Sequence, residues 1–441
     1  MQTKEISEYL NNDYLSAALY LAYRACPNVC DGLKVSGRKI VYTVKKDKIK
    51  DEIKVSSLGG KVTSDAGYLH GEASIEGAIV TMGQRYTGAN NLSILEPVGN
   101  FGTRFSNTAS SARYIFAKPS AYFDKLFRPE DDNNLVVQEF EGDIIEPRFY
   151  VPTLPMLLIN GCSGIGVGFR TTIYSRSVKN LISLIKARLN QGRVLKKWLY
   201  PSWEGFTGTV EPVSAGKWKV SGKAEQNRKK LTVTELPIGM ELKTYLNILD
   251  ELRDSGVIAS YLDYSDPRTD LFNFEITLSV EESLKSLDTI MEDLKLVEVI
   301  SENLTCLDRN NAIQEYDSID EIFDEYFKVK LEYMGLRIKS ETARLKKELD
   351  ELEETVRFIL GVIDGSIDVK AKRSVLEEKL KKDGYIRIPY LLSLPISSLT
   401  ADKVKELKDK VKVKKAELKA MQAETPASLW LKDLDELEAV I

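Results

Sequence analysis

Arg113 stands directly before Tyr114 in Ser110-Ser-Ala-Arg-Tyr-Ile115, and the chain's single histidine, His70, lies in the same N-terminal third. A tyrosine hydroxyl titrates near pH ~10 in water, so it is a poor nucleophile unless cations stabilise its oxyanion. An adjacent arginine supplies a permanent charge with planar geometry suited to phosphate. The lone histidine is the one side chain whose ordinary titration falls near neutrality. Together the three residues suit a tyrosine that attacks a phosphodiester. Taken alone, an Arg-Tyr pair also reads as surface decoration, and His70 reads equally as a core or capping residue ahead of a helix from Glu72.

The remaining composition narrows the chemistry. The net charge of −4 over 441 residues excludes a global polycation, yet the charge is uneven. Met1–Ser120 holds 15 Lys/Arg against 11 Asp/Glu, and Leu33–Val62 holds nine against three. That is a local footprint for a polyanion. Lys34, Arg38 and Lys39 sit inside it, as phosphate grips or as a solvated helix face. Four cysteines are too few for a disulfide scaffold, and Cys26-Pro-Asn-Val-Cys30 lacks a second metal-binding pair. The polar Met1-Gln-Thr-Lys-Glu start does not read as a signal peptide. Val151–Phe169 carries no charge, but its prolines and glycines would break a spanning helix, so it reads as a buried strand and turn region. A soluble, intracellular, cytoplasmic protein is expected, with no membrane partner.

These residues need positioning elements. Glu5–Arg24 spaces Tyr9, Leu10, Tyr14, Leu15, Ala18 and Leu21 along one side of a helix. Val35–Val44 continues as helix with Arg38 and Lys39 exposed, and Glu72 to about Gln84 forms another. Short helices joined by glycine turns in a basic region suit a winged-helix unit, with Leu92–Arg104 as strand and loop. Alternating stretches at Phe206–Val210, Lys217–Val220, Leu231–Thr234 and Phe272–Leu278, among helices at Lys179–Leu189 and Glu241–Ser255, predict a mixed α+β domain. Ile338, Thr342, Leu345, Leu349, Leu352, Val356, Ile359 and Ile363 form a heptad seam. Val404, Leu407, Val411, Leu418 and Met421 keep its phase, with Lys414 in one core slot. Two long helices joined by a knob at Gly365–Leu399 predict an antiparallel coiled coil. The fold class is therefore α+β multidomain: a winged-helix domain over 1–125, a mixed α+β tower over 126–312, and a coiled coil with its knob over 313–441.

The chain resembles the breakage-reunion subunit of type II DNA topoisomerases, with its nearest likeness to the medium subunit of phage enzymes. The likeness rests on Pro27-Asn-Val-Cys-Asp-Gly-Leu-Lys34 with Gly37-Arg-Lys-Ile-Val-Tyr42, and on Tyr68-Leu-His-Gly-Glu72. It continues through Gly99-Asn-Phe-Gly-Thr-Arg104, Ala112-Arg-Tyr114, Asn160-Gly-Cys-Ser-Gly-Ile-Gly-Val-Gly168, Thr234-Glu-Leu-Pro237 and Leu429-Trp-Leu-Lys-Asp-Leu-Asp435. Cys30 and Leu69 depart from the gyrase branch, which has arginine and a second histidine there.

The resemblance implies that Tyr114 forms a transient 5′-phosphotyrosyl bond, with Arg113 and His70 as catalytic partners. It implies DNA contacts at Lys34, Arg38, Lys39 and Arg104, and a DNA-bending wedge at Ile165. It further implies a homodimer closed at a C-terminal gate on double-stranded DNA, and relaxation or decatenation rather than active supercoiling. No Walker-type loop or acidic metal module is present, so Mg2+ and ATP are expected to arrive with partner subunits. The Asp263-Tyr-Ser-Asp266…Asp270 cluster reads as a solvated turn. Competing readings are a tyrosine recombinase or nicking enzyme, which wants a His-x-x-Arg pattern where His70 is followed by Gly71-Glu-Ala, and a non-catalytic architectural DNA binder.

Overall fold

The computed structural model describes residues 6–395, 397 and 399–441. The chain divides into two units: one takes the segments up to Pro129, Leu135–Lys330 and Leu431–Ile441, the other Glu130–Asn134 and Leu331–Trp430.

The first unit opens with helices. Leu15–Ala25 is helical after a π-helical turn at Tyr9–Tyr14, but only Ala22 is buried. On the side that carries them, Tyr9, Leu10, Tyr14, Leu15 and Leu21 are all exposed. Glu5 lies outside the described residues. Helices follow at Val35–Lys46, Val55–Asp65 and Glu72–Gly83. The helix Val55–Asp65 was not legible in the sequence, since its glycines and serines are poor helix formers. Burial of Val55, Leu58 and Val62, with the helix packed on Glu72–Gly83, overrides that propensity. A small antiparallel sheet places Phe116–Pro119 between Ile53–Lys54 and Leu95–Val98.

The expected alternating strands form two further antiparallel sheets in this unit. One runs in the order Lys223–Asn227, Lys230–Glu235, Phe274–Leu278, Ile258–Asp263. In Lys230–Glu235 the period of two sends Leu231, Val233 and Glu235 inward and Lys230, Thr232 and Thr234 outward. The inward side packs on Tyr245 and Leu249 of the helix Leu242–Asp254. The other sheet has Lys217–Ser221 between Val297–Ser301 and Thr209–Ser214. The strand expected from Phe206 begins at Thr209, and the one expected from Phe272 begins at Phe274. Val151–Phe169 is only half as expected: Val151–Ile159 is buried and runs into a short helix, Met156–Asn160, while Cys162–Ile165 begins a more exposed hairpin. No described helix is long and apolar enough to cross a membrane.

A buried ion pair ties this part together. Arg176 meets Glu302 at 2.8 Å with both side chains closed to solvent, and Trp218 Nε1 and Tyr174 N each donate to the same carboxylate at 3.0 Å. Desolvating both charges is tolerable only because the carboxylate's lone pairs are filled.

In the second unit, the part of the helix Ile319–Ile363 beyond Lys330 lies antiparallel to Ala401–Ala423. Lys414 bonds Glu348 at 3.0 Å and Lys415 bonds Glu353 at 2.6 Å, pairing the two helices along their flanks. Lys414 occupies its core slot half-buried, with Glu348 and Glu417 neutralising it. Leu345, Leu349, Val356 and Ile359 of the seam are buried, whereas Ile363 is exposed. The seam ends there because the knob takes over the packing: Leu376, Leu380, Tyr385 and Leu391 cluster with Val356, Phe358 and Ile359. Ile396 and Ser398 of the expected knob lie outside the described residues.

Replacing Arg176 by Met would leave Glu302 buried without its cation. The expected cost is ~3–5 kcal/mol of stability, read as a lower urea midpoint of the first unit. A midpoint equal to that of the unaltered chain would contradict this.

Candidate nucleic-acid interface

Arg113 and Tyr114 form a turn immediately ahead of the strand Phe116–Pro119. Tyr114 N donates to Ser111 O at 2.9 Å, and the backbone on either side is anchored. Val55 N donates to Ile115 O at 3.0 Å and Ser56 N to Ala112 O at 3.2 Å, so the turn rests on the first residues of the helix Val55–Asp65. Ile115 is buried beneath it. Above this support Tyr114 is 77% exposed and Arg113 is exposed too. An exposed phenol on an immobilised backbone is reachable by a large substrate and loses little entropy on engaging it.

The loop leading to the turn is folded on itself. Ser110 N donates to Asn100 O at 3.0 Å and Thr103 N to Ser106 O at 2.8 Å. Gly102 adopts a φ of +92°, and a Cβ there would lie 2.7 Å from Asn107 O, so a side chain would break the fold of the loop.

His70, Lys34 and Ile165 gather elsewhere, around a cavity of about 740 Å³ whose walls also include Tyr20, Tyr68 and Glu146. Tyr114 and Arg113 are not among its walls. The cap position of the helix Glu72–Gly83 falls on Gly71, and His70 Nε2 instead lies 3.0 Å from the Tyr20 hydroxyl. The edge of Tyr68 closes another side, with ring centroids 5.3 Å apart. Loss of hydration, then the charge of Arg24, hold the imidazole below its ordinary range. The uncharged ring is thereby favoured near neutrality.

Lys34 precedes the helix Val35–Lys46 and donates from Nζ to Ser163 O at 2.7 Å. It thereby pins the hairpin of Cys162–Ile165 and Arg170–Ile173. At Gly164 a Cβ would come within 2.1 Å of Ala25 O, so the hairpin approaches the end of the helix Leu15–Ala25 closely enough to require glycine. Ile165 ends the strand opposite Arg170, beside a turn closed by Gly166 N to Phe169 O at 2.8 Å, and it is 80% exposed.

Three cations expected to face DNA are turned inward. Arg38 is 1% exposed and bonds Asp31 through Nε at 2.7 Å and Nη2 at 3.2 Å. Lys39 bonds Glu146 at 2.8 Å and also donates to Ala66 O. Arg104 pairs with Glu235, donates to Leu236 O at 3.2 Å, and stacks over Phe272 at 4.6 Å. Arg38 and Lys39 are thus buried where exposure was expected, and Arg104 is turned inward with them: each meets a buried carboxylate, and a charge withdrawn from water must be paired. Sequence reasoning missed these carboxylates and Tyr20. Glu235 did have a signal, since it continues the inward series of Leu231 and Val233.

The carboxylates present do not fit a metal. Asp266 is engaged by Arg268 at 3.0 Å within its own turn, and among the described residues no three metal-ligating groups converge.

The sequence pattern of the family that comprises the A subunits of DNA gyrase and topoisomerase IV matches residues 24–435. DNA topoisomerase 2, mitochondrial, of Dictyostelium discoideum is 32% identical over 99% of this chain and 35% of its own length. DNA topoisomerase 2 of Candida albicans is 31% identical over 98% of this chain and 34% of its own. This chain thus spans about a third of the length of these curated relatives. The crystal structure of the Plasmodium falciparum topoisomerase II DNA-binding, cleavage and re-ligation domain superposes with a TM-score of 0.89 at 30% identity, covering 98% of this chain and 64% of that one. The match along residues 24–435 and the shared α+β architecture lead to one conclusion: this chain belongs to the type II topoisomerase family typified by the A subunits of DNA gyrase and topoisomerase IV.

Proposed function

We propose that this chain is the DNA cleavage-religation component of an ATP-dependent type II topoisomerase. The observation that carries the reading is Tyr114 itself: a fully presented phenol, beside an exposed arginine, on a turn whose backbone is braced from both sides. The Tyr114 Oη–P bond forms as the P–O3′ bond of DNA breaks. The phenol gives up its proton and the 3′-oxygen takes one up. The 5′-phosphate stays on the enzyme. One phosphodiester replaces another, so resealing runs the same exchange backwards and needs no nucleotide.

Arg113 stabilises charge on the pentacovalent phosphorus. His70, kept neutral, serves as a hydrogen-bond partner to the reacting phosphate or the leaving oxygen; since it and Tyr114 do not line one cavity of a single chain, it meets the phosphate attacked by Tyr114 of the second copy in the dimer. Lys34 braces the hairpin of Ile165 and adds positive potential beside the cut. Ile165 wedges between base pairs; unstacking a step costs a few kcal/mol (order of magnitude), offset by wider contact with bent DNA. We assign cleavage to residues 1–125, bending to 126–312 and gating to 313–441. Exposed Ile386 and Tyr390 on the knob support a dimer gate there, and two tyrosines are needed to cut two strands. Mg2+, which would neutralise phosphate charge, and ATP are assigned to partner subunits. The site of action is the cytoplasm.

Tyr114→Phe should abolish covalent protein–DNA adducts in the reconstituted enzyme while DNA binding persists. An adduct formed by that variant would refute the nucleophile. Ile165→Ala, at an exposed position, should change stability by less than ~0.5 kcal/mol yet reduce DNA bending measured by fluorescence energy transfer. Undiminished bending would reject the wedge. The single imidazole should titrate by NMR below its ordinary value of about 6.5. Because the unfolded chain then binds more protons just below that value, stability should fall as pH drops through this window. A midpoint at or above 6.5 would contradict the neutral His70.

A further inference from the structure

We infer that Arg104 and Phe105 strap the Tyr114 loop to the four-stranded sheet, making Arg104 a positioning residue for the tyrosine and not a DNA contact. This rests on the reading of Tyr114 as nucleophile. The loop between the strands Leu95–Val98 and Phe116–Pro119 does more than connect them. Phe105 leaves it and enters the core formed by Leu231, Val233 and Phe274, with its ring 5.0 Å from that of Phe272. Arg104 joins the same anchor, stacked on Phe272 and paired with Glu235.

Glu235 is built to receive it. The carboxylate occupies an inward position of its strand, 1% exposed. Its Oε2 accepts from Thr207 N at 3.0 Å and Thr207 Oγ1 at 2.9 Å, and its Oε1 accepts from Leu236 N at 3.0 Å. Those neutral donors leave a net negative charge that the Arg104 guanidinium cancels. The Arg104 and Glu235 side chains are 8% and 2% exposed, so the pair is shielded from a phosphate backbone and from salt. The loop is therefore held at two points: at Ile115 on the helix Val55–Asp65, and at Arg104–Phe105 on the sheet. A reacting oxygen set between two anchors keeps its attack geometry, and a misplacement of about 1 Å can cost ~10²-fold in rate.

The test uses the full chain and the enzyme reconstituted from it. In R104M, amide hydrogen exchange across residues 99–114 should accelerate, and the rate of covalent adduct formation should fall by ~10²-fold with DNA affinity and its salt dependence unchanged. R104K, which keeps a cation facing Glu235 but loses the planar guanidinium stacked on Phe272, should retain part of the protection and of the rate. E235Q, which keeps the shape of the site, serves where R104M folds poorly, with the same expectations in weaker form. Unaltered loop protection, or a loss of DNA affinity with a shallower salt dependence, would overturn the strap. An unmodified enzyme whose adduct maps to another residue would sink the nucleophile assignment instead, and loop protection would still judge the strap.

Discussion

The first unit depends on one constraint: a carboxylate taken out of water has to find a cation and fill its lone pairs. Asp31, Glu146, Glu235 and Glu302 are all buried, and they meet Arg38, Lys39, Arg104 and Arg176. Backbone N–H groups complete several of these sites, as Leu33 N and Tyr150 N do at Asp31. Such pairs contribute little net stability over an apolar packing, but breaking one is costly. They therefore act as brackets that specify which segments lie together: Asp31 joins the start of the helix Val35–Lys46 to Tyr150, and Glu302 joins Arg176 to Trp218.

That constraint decides which cations stay in solvent. The basic stretch Leu33–Val62 looks like a uniform phosphate-binding surface when read as charge alone. In the fold, Arg38 and Lys39 are internal, Lys34 bonds a hairpin carbonyl, and Arg113 stands in solvent beside Tyr114. The exposed groups of interest sit on short, well-held supports. Tyr114 follows a loop closed by its own hydrogen bonds, and Ile165 ends a strand pinned by Lys34 and by the Gly164 approach. Precision of placement comes from the backbone, which leaves both side chains accessible.

The second unit obeys a different rule, since its organisation is local and repetitive. A seam of apolar residues spaced by heptads buries Leu345, Leu349, Val356 and Ile359, and charged flanks pair across the helices at Lys414–Glu348 and Lys415–Glu353. Its knob has an apolar centre, and on its otherwise largely charged surface Ile386 is 88% exposed. Such a side chain is outside the core that stabilises the knob and is available for association.

From the sequence alone, the Arg113–Tyr114 pair, the alternating strands and the heptad seam could be read, because each is written in neighbouring or regularly spaced residues. The helix Val55–Asp65 could not, since its glycines and serines argue against it and only packing on Glu72–Gly83 secures it. Tertiary structure alone decided the fate of the cations. Lys39 finds Glu146 across 107 positions and Arg104 finds Glu235 across 131. Charge pattern reports what a residue carries, whereas burial and partnership depend on segments that meet only when the chain has folded.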